Sequence, residues 1–387
     1  MNTMLDEAKR PVDCCRPAVR LILLAATISI CALLIGANAA ELKTKNVFLI
    51  TTDGLRWQEV FTGAEEALLS KEHGGVKDVE GLKRQFWRAT PEERRQSLLP
   101  FLWSEVAAKG QLFGNQTKGS FSQILNDKRF SYPGYNEFLT GFVDPRIDSN
   151  NKVPNPNTNV FEWLNLQPGF QGKVATVVNW DVIPWILNAG RSQLPVWSGY
   201  ALPANAFRSL TVSPELEQFV ENTTPIWSGV IMDSFTIQAA LTYVKQAQPR
   251  AFYVAFAETD EWAHDGRYDC YLHAAHNVDR FIQTLWQTVQ ALPAYRDTTS
   301  FIITTDHGRG SGPQDWRHHS AKIAGAENTW IAVIGPDTPP LGERTNCVRV
   351  TQSQIAATVA ALVGQDYHAA FPPVAGPIKE VIKPAGY

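Results

Sequence analysis

Three near-continuous apolar or β-branched runs, NVFLITTD at 46–53, AFYVAFAETD at 251–260 and FIITTD at 301–306, each end on carboxylates. Those carboxylates are Asp53, then Glu258 and Asp260, then Asp306. A strand with one wet face alternates apolar and polar residues. These runs do not alternate, which predicts strands buried on both faces, as in parallel sheets. Residues 173–180 and 329–335 read as two more strands. Helical periodicity fills the intervals, over 91–109, 229–246, 268–291 and 353–363. Strands alternating with helices predict an α/β fold, an open, mostly parallel sheet with helices on both faces. Such sheets bind ligands beyond the carboxyl ends of their strands, where the acids fall here.

The first forty residues stand apart from this pattern. Arg10, Arg16 and Arg20 precede the apolar stretch LILLAATISICALLIG, and ANAAE offers small residues for cleavage near Ala39 or Ala40. Residues 1–40 therefore read as a signal peptide, and the apolar run falls short of the ~18–20 residues that span a bilayer. A periplasmic or secreted protein follows, with residues 41–387 as one domain and no stable membrane partner expected. The Pro- and Asn-rich segment 144–160 reads as an ordered loop, and the Pro- and Trp-bearing segment 181–228 as a cap or specificity insertion. Without the signal segment the net charge is near −4, which argues against binding of a nucleic-acid backbone. Cys270 and Cys347 are then the remaining cysteines, and sequence leaves their pairing open. Nothing in the sequence indicates an oligomeric state.

The acids have suitable companions. Asp260 and His264 are four apart, so one helical turn brings both to one point. Asp306 and His307 leave a strand together, and Gly308 and Gly310 let the chain turn just beyond them. The tandem His318-His319 follows about a dozen residues on. Carboxylate oxygen and imidazole nitrogen together suit zinc. Two metals about 4 Å apart would need some three protein ligands each. Asp53, Asp306 and His307 offer one set; Asp260, His264 and one of the tandem histidines offer the other. His273 and His276, three apart in a helical pattern, read as packing residues. A nucleophile is offered by Ser131, which falls at or near a helix N-terminus in RFSYPGYNEFLTGF. A hydroxyl there, beside a dication, would have its pKa lowered.

Together these motifs resemble the alkaline phosphatase superfamily, and within it the nucleotide pyrophosphatase/phosphodiesterase branch. LITTDGLRW resembles the branch's opening strand and supplies Asp53; SYPGYNEFLTG resembles its nucleophile motif, with Ser131, Pro133 and Thr140-Gly141 in place. ETDEWAH and TDHGR resemble its later metal motifs and supply Asp260, His264, Asp306 and His307. The resemblance spans roughly residues 45–365. It implies two zinc ions, one held by Asp53, Ser131, Asp306 and His307, the other by Asp260, His264 and His319, with His318 as competitor. It also implies attack by Ser131 on phosphorus, a covalent phospho-enzyme hydrolysed by water at the metal, and a phosphate-binding Asn at Asn150 or Asn151.

The sequence departs from the relatives in places. The nucleophile is Ser rather than Thr, and Gly134-Tyr135 replaces Asn-His. Sulfatases of the superfamily carry Arg where this chain has Tyr135. Arg56, Lys128, Arg129 and Arg309 lie near the motifs, where each could touch the substrate, and read first as solvated surface charges. The expectation is an exported di-zinc hydrolase of small-molecule phosphate esters, a phosphodiesterase or phosphomonoesterase. The alternatives are a sulfatase or phosphomutase of the same superfamily, or a binding protein that keeps the fold.

Overall fold

The three acid-ended runs lie side by side at the centre of one eight-stranded sheet. The computed structural model describes residues 41–383 except 201–207 and 209, so the signal segment lies outside the described residues. The strands are β1 (Asn46–Thr52), β2 (Gln111–Phe113), β3 (Val174–Val178), β4 (Val196–Trp197), β5 (Ala251–Phe256), β6 (Thr299–Thr304), β7 (Ile331–Ile334) and β8 (Gly342–Glu343). Their spatial order is β8-β2-β7-β6-β1-β5-β3-β4. Only β7 runs against its neighbours, β6 and β2; the other pairings are parallel. The expected mostly parallel α/β sheet is what the chain forms.

The unbroken apolar runs follow from burial on both faces. Phe48 and Ile50 of β1 join one hydrophobic core with Phe252, Val254, Phe301 and Ile303. Val47 and Leu49 join the other with Tyr253, Ala255 and Ile302. The first core is closed by the long helix Tyr268–Ala291, through Tyr271, Leu272, Val278 and Leu285. The second is closed by Ser131–Thr140, every residue of which is buried, and by Ile355–Leu362. Register then fixes the site: Thr52 pairs with Phe256 and Thr51 with Thr304, so β1, β5 and β6 end at one edge.

Some sequence-predicted elements differ. The helix over 91–109 is broken into Pro91–Leu98, a π-helical turn Leu102–Val106 and Ala107–Lys109. Pro100 is the cause, because it lacks an N–H and drives Leu99 out of the helical region, to φ −125°, ψ 65°. The restarting N–H groups of Phe101 and Leu102 each donate to the buried Asp279 carboxylate at 2.8 Å. The helix expected over 229–246 begins at Asp233, because Gly229 turns at φ +86° and Val230 bridges to Trp180. The run 329–335 splits at Trp330: Asn328–Thr329 pairs with Ser122–Gln123 in a small second sheet. The strand expected over 251–260 stops at Phe256, and Glu258–His264 is helical. Leu42–Lys383 form one compact unit, and segment 181–228 supplies its edge strand β4. Cys270 and Cys347 are both free thiols. Among the described residues, no helix is long and apolar enough to cross a membrane.

Candidate active site and metal centre

Asp53 and Asp306 emerge from adjacent strands and are buried. Each has one oxygen engaged. Asp53 Oδ2 accepts from the Tyr135 hydroxyl at 3.1 Å, and Asp306 Oδ1 accepts from Gly54 N at 3.0 Å. The other oxygen of each, Asp53 Oδ1 and Asp306 Oδ2, is buried without a hydrogen-bond partner. Both lie 3.3 Å from His307 Nε2. His307 Nδ1 faces the Gly308 carbonyl at 3.0 Å, which engages that nitrogen and turns Nε2 toward the two acids. Ser131 Oγ sits 3.4 Å from the same Nε2.

Ser131 is the first residue of the helix Ser131–Thr140, one position inside the N-cap, Phe130. The helix reaches the site because residue 134 is glycine: a Cβ there would stand 2.4 Å from the Asp306 carbonyl oxygen. Gly54 is required for a second reason, since its φ is +59° and a Cβ would lie 2.7 Å from Asp260 Oδ1. Asn150 Oδ1 accepts from Tyr132 N at 2.9 Å, which satisfies a free N–H of the helix end and leaves the Asn150 NH2 group available. Asn150 lines the site cavity with Asp53 and Ser131, whereas Asn151 lines a separate one.

A second cluster adjoins the first. Asp260 and His264 lie one turn apart on the helix Glu258–His264, with Asp260 Oδ2 3.2 Å from His264 Nε2. His264 Nε2 is 2.9 Å from His319 Nε2, which is 3.5 Å from Asp260 Oδ1. His319 Nδ1 faces the Arg129 carbonyl at 3.1 Å, which likewise engages that nitrogen. The His307 and His319 rings stack with centroids 3.9 Å apart, which sets the clusters side by side. His318 is not in the cluster; its backbone carbonyl accepts from Gly310 N. His276 Nδ1 bonds the Leu98 carbonyl, and both His273 and His276 pack on Phe86, as structural residues.

Two of the four nearby cations are not surface charges. Arg56 is fully buried, paired with Glu59 and, at 2.8 Å, with Glu65. Arg309 is also buried; it bonds Asp260 Oδ1, the Gly54 carbonyl at 3.2 Å and the Arg317 carbonyl at 2.6 Å. These carboxylates and carbonyls are what make burial of a guanidinium tolerable. Lys128 and Arg129 are partly exposed, paired with Asp127 and Glu327. Sequence reasoning missed Tyr135 and Glu261. Glu261 lines the same cavity, of about 250 Å³, and its carboxyl is pushed up to about 7, first by burial and then by Asp260.

The electrostatics point to a cation. Burial first, then the neighbouring Asp260, raises the Asp53 carboxyl well above its ordinary range; burial first, then Asp53, does the same to Asp306. Asp260 is also penalised by burial, but Arg309, His264 and His319 outweigh that and hold it below its ordinary range. Two raised acids with unpartnered oxygens aimed at His307, whose Nδ1 is already tied down, beside the cluster of Asp260, His264 and His319, fit divalent cations bound through oxygen and nitrogen.

A protein-family model, Sulfatase, matches residues 79–365. The chain belongs to the sulfatase family. It is thereby a hydrolase of the alkaline phosphatase superfamily. Solved structures agree in fold. The phosphonate monoester hydrolase SpPMH from Silicibacter pomeroyi is 13% identical, with 89% of this chain and 78% of that one covered, at a TM-score of 0.53. BT4656, solved with D-glucosamine-2-N,6-O-disulfate as its substrate, is 12% identical, with 89% and 81% covered, at 0.53. The lipoteichoic acid synthase LtaP from Listeria monocytogenes is 11% identical, with 85% and 74% covered, at 0.51. No curated protein matches the chain.

Within this candidate site, Tyr135 holds Asp53 in place. Its hydroxyl fixes Oδ2 and so presents Oδ1 to the centre. Tyr135→Phe is expected to weaken metal binding roughly 10-fold or more, the usual cost of losing a group that orients a ligand. Titration of the metal-free protein with zinc, followed by calorimetry, measures it; unchanged affinity would mean that Asp53 is oriented without the tyrosine.

Proposed function

We propose that this protein hydrolyses phosphate esters of small molecules, with Ser131 as an unmodified serine nucleophile, in the manner of the nucleotide pyrophosphatase/phosphodiesterase branch. One observation carries the reading. The position at which sulfatases of the superfamily hold an arginine is occupied by Tyr135, and its hydroxyl is committed to Asp53 beside Ser131. Asp53, Asp306, His307 and Ser131 are the candidate ligands of one zinc ion, and Asp260, His264 and His319 of a second. When bound, such cations lower the pKa of a nearby hydroxyl and offset charge developing on phosphoryl oxygens. The chain's own residues do the rest. Ser131 Oγ attacks phosphorus in line and the alcohol leaves; water then releases phosphate. The Asn150 NH2 group and the Ser131 amide at the helix start bind the anionic oxygens. His319 completes the second ligand set by its position beside His264. Export through the N-terminal segment would place the reaction in the periplasm or outside the cell.

The family match supports a second reading, hydrolysis of a sulfate ester at the same centre. Rates on p-nitrophenyl phosphate, bis-p-nitrophenyl phosphate and p-nitrophenyl sulfate separate the two. The phosphate reading expects kcat/KM at least 100-fold higher on one of the phosphates than on the sulfate. The reverse order would replace it with the sulfatase reading.

A further inference from the structure

Beside the metal centre lies a second cavity that the proposed chemistry leaves unused. Its volume is about 270 Å³, and Tyr200, Val220, Trp227, Ile231 and Phe235 are among the residues of its wall. Val230 borders both this cavity and the site cavity. The chain is pinned there, because Val230 bridges to Trp180, and Asp181 N bonds the Gly229 carbonyl at 2.9 Å. The wall is also tied to the helix that carries Asp260 and His264. Trp227 packs edge-on against Trp262 of that helix, ring centroids 4.5 Å apart, and its Nε1 donates to Asp265 Oδ2 at 2.9 Å. The Tyr200 hydroxyl is buried without a hydrogen-bond partner, and its electrostatic neighbours include Glu261 of the site cavity. Ile226 lines the cavity yet is 55% exposed, so the cavity opens to solvent.

We infer that this cavity binds the apolar organic group of the ester whose anionic head reacts at Ser131; the inference rests on the hydrolase reading above. Among the described residues the wall has no cation to hold a further phosphate, and Glu221 is its one charged residue, so a polyanionic group is disfavoured there. A cavity of about 150 Å³ holds a benzene, so about 270 Å³ accommodates an alkyl chain of some eight carbons or a fused pair of aromatic rings. The Tyr200 hydroxyl is suited to bond the ester's bridging oxygen or a polar atom next to it. The substrate class is therefore an amphiphile, with a single anionic ester head and one compact apolar group.

The test uses straight-chain alkyl phosphates from methyl to octyl, whose alcohols differ little in basicity, with the full zinc-loaded chain. Each methylene that enters the cavity is expected to raise kcat/KM roughly fourfold until the cavity is full. Ile231→Trp and Phe235→Trp, which fill it from two walls, are expected to flatten that slope. In parallel, binding of 2-naphthol is followed by quenching of tryptophan fluorescence, with wild type and both filled variants. A flat chain-length profile in the wild type, or a slope untouched in both folded variants, overturns the inference even if esters are hydrolysed. Naphthol binding that both variants abolish, with no ester hydrolysed at all, upholds the apolar subsite and overturns the hydrolase reading instead.

Discussion

Ser131→Ala is expected to lower phosphate-ester turnover by at least about 10³-fold, as loss of a covalent nucleophile does elsewhere, while bound zinc stays near two per chain. The two expectations come from different atoms. Ser131 Oγ lies 3.4 Å from His307 Nε2, close enough to share a centre with it. The unpartnered oxygens of Asp53 and Asp306, with His307, persist in the variant and still hold charge to be compensated. Removing one neutral hydroxyl therefore costs the reaction its attacking atom and costs the cation one weak ligand. Elemental analysis together with single-turnover kinetics separates these. If turnover survives with metal in place, another group or a water attacks directly, and no phospho-enzyme forms. If both are lost, Ser131 is chiefly a ligand, and its nucleophilic role needs separate proof.

The strand ends were legible in sequence for a physical reason. Strands covered on both faces have no polar alternation, so an acid after such a run interrupts the pattern visibly, as at Asp53 and Asp306. The pairing of Asp260 with His264 was legible because helix geometry alone brings residues four apart together. Arg309 was misread because burial of a cation depends on partners that spacing does not reveal, and Arg56 although its partner Glu59 stands only three residues on. Arg309 bonds Asp260 and Gly54, 49 and 255 residues away. Tyr135 was noticed only as a missing arginine; its bond to Asp53 spans 82 residues. The glycines after His307 were seen, but for the wrong reason. Neither Gly308 nor Gly310 has a positive φ. Each is small because a neighbour approaches: a Cβ on Gly308 would lie 2.1 Å from the Asn328 carbonyl oxygen, and one on Gly310 2.5 Å from Asp315 Cβ. The break at Pro100 was readable from local chemistry, and the helix expected across it gave periodicity too much weight.

Arg309→Met is expected to destabilise the metal-free protein by about 3–5 kcal/mol, the range for leaving one member of a buried ion pair without its partner. For a domain of this size that is a fall in Tm of roughly 5–15 °C. Methionine keeps much of the side-chain volume, so the loss falls on charge and hydrogen bonds rather than on packing. Four acceptors lose a donor: Asp260 Oδ1 and the carbonyls of Asp260, Gly54 and Arg317. Only the first is charged, which makes the effect depend on pH. In the wild type, Arg309 leads the histidines in holding the Asp260 carboxyl below its ordinary range despite burial. A depressed carboxyl stabilises the fold above its unfolded pKa of about 3.9, and that contribution is lost as pH falls through the folded value. In the variant, burial without the guanidinium raises the same carboxyl, and protonation at low pH relieves that penalty. Both changes narrow the gap between wild type and variant on acidification. The gap should therefore be widest at pH 8 and narrower at pH 4, where protonation has relieved the variant while the wild type still holds its depressed carboxylate; only below the wild type's folded value does the share owed to the three carbonyls remain alone. Zinc should narrow it at pH 8 as well, because a cation at Asp260, His264 and His319 takes over the compensation. Differential scanning calorimetry at the two pH values, with chelator and with zinc, reads all four conditions. A gap that ignores both pH and zinc would mean that Arg309 acts through its bonds to the backbone, and that Asp260 does not depend on it for its charge.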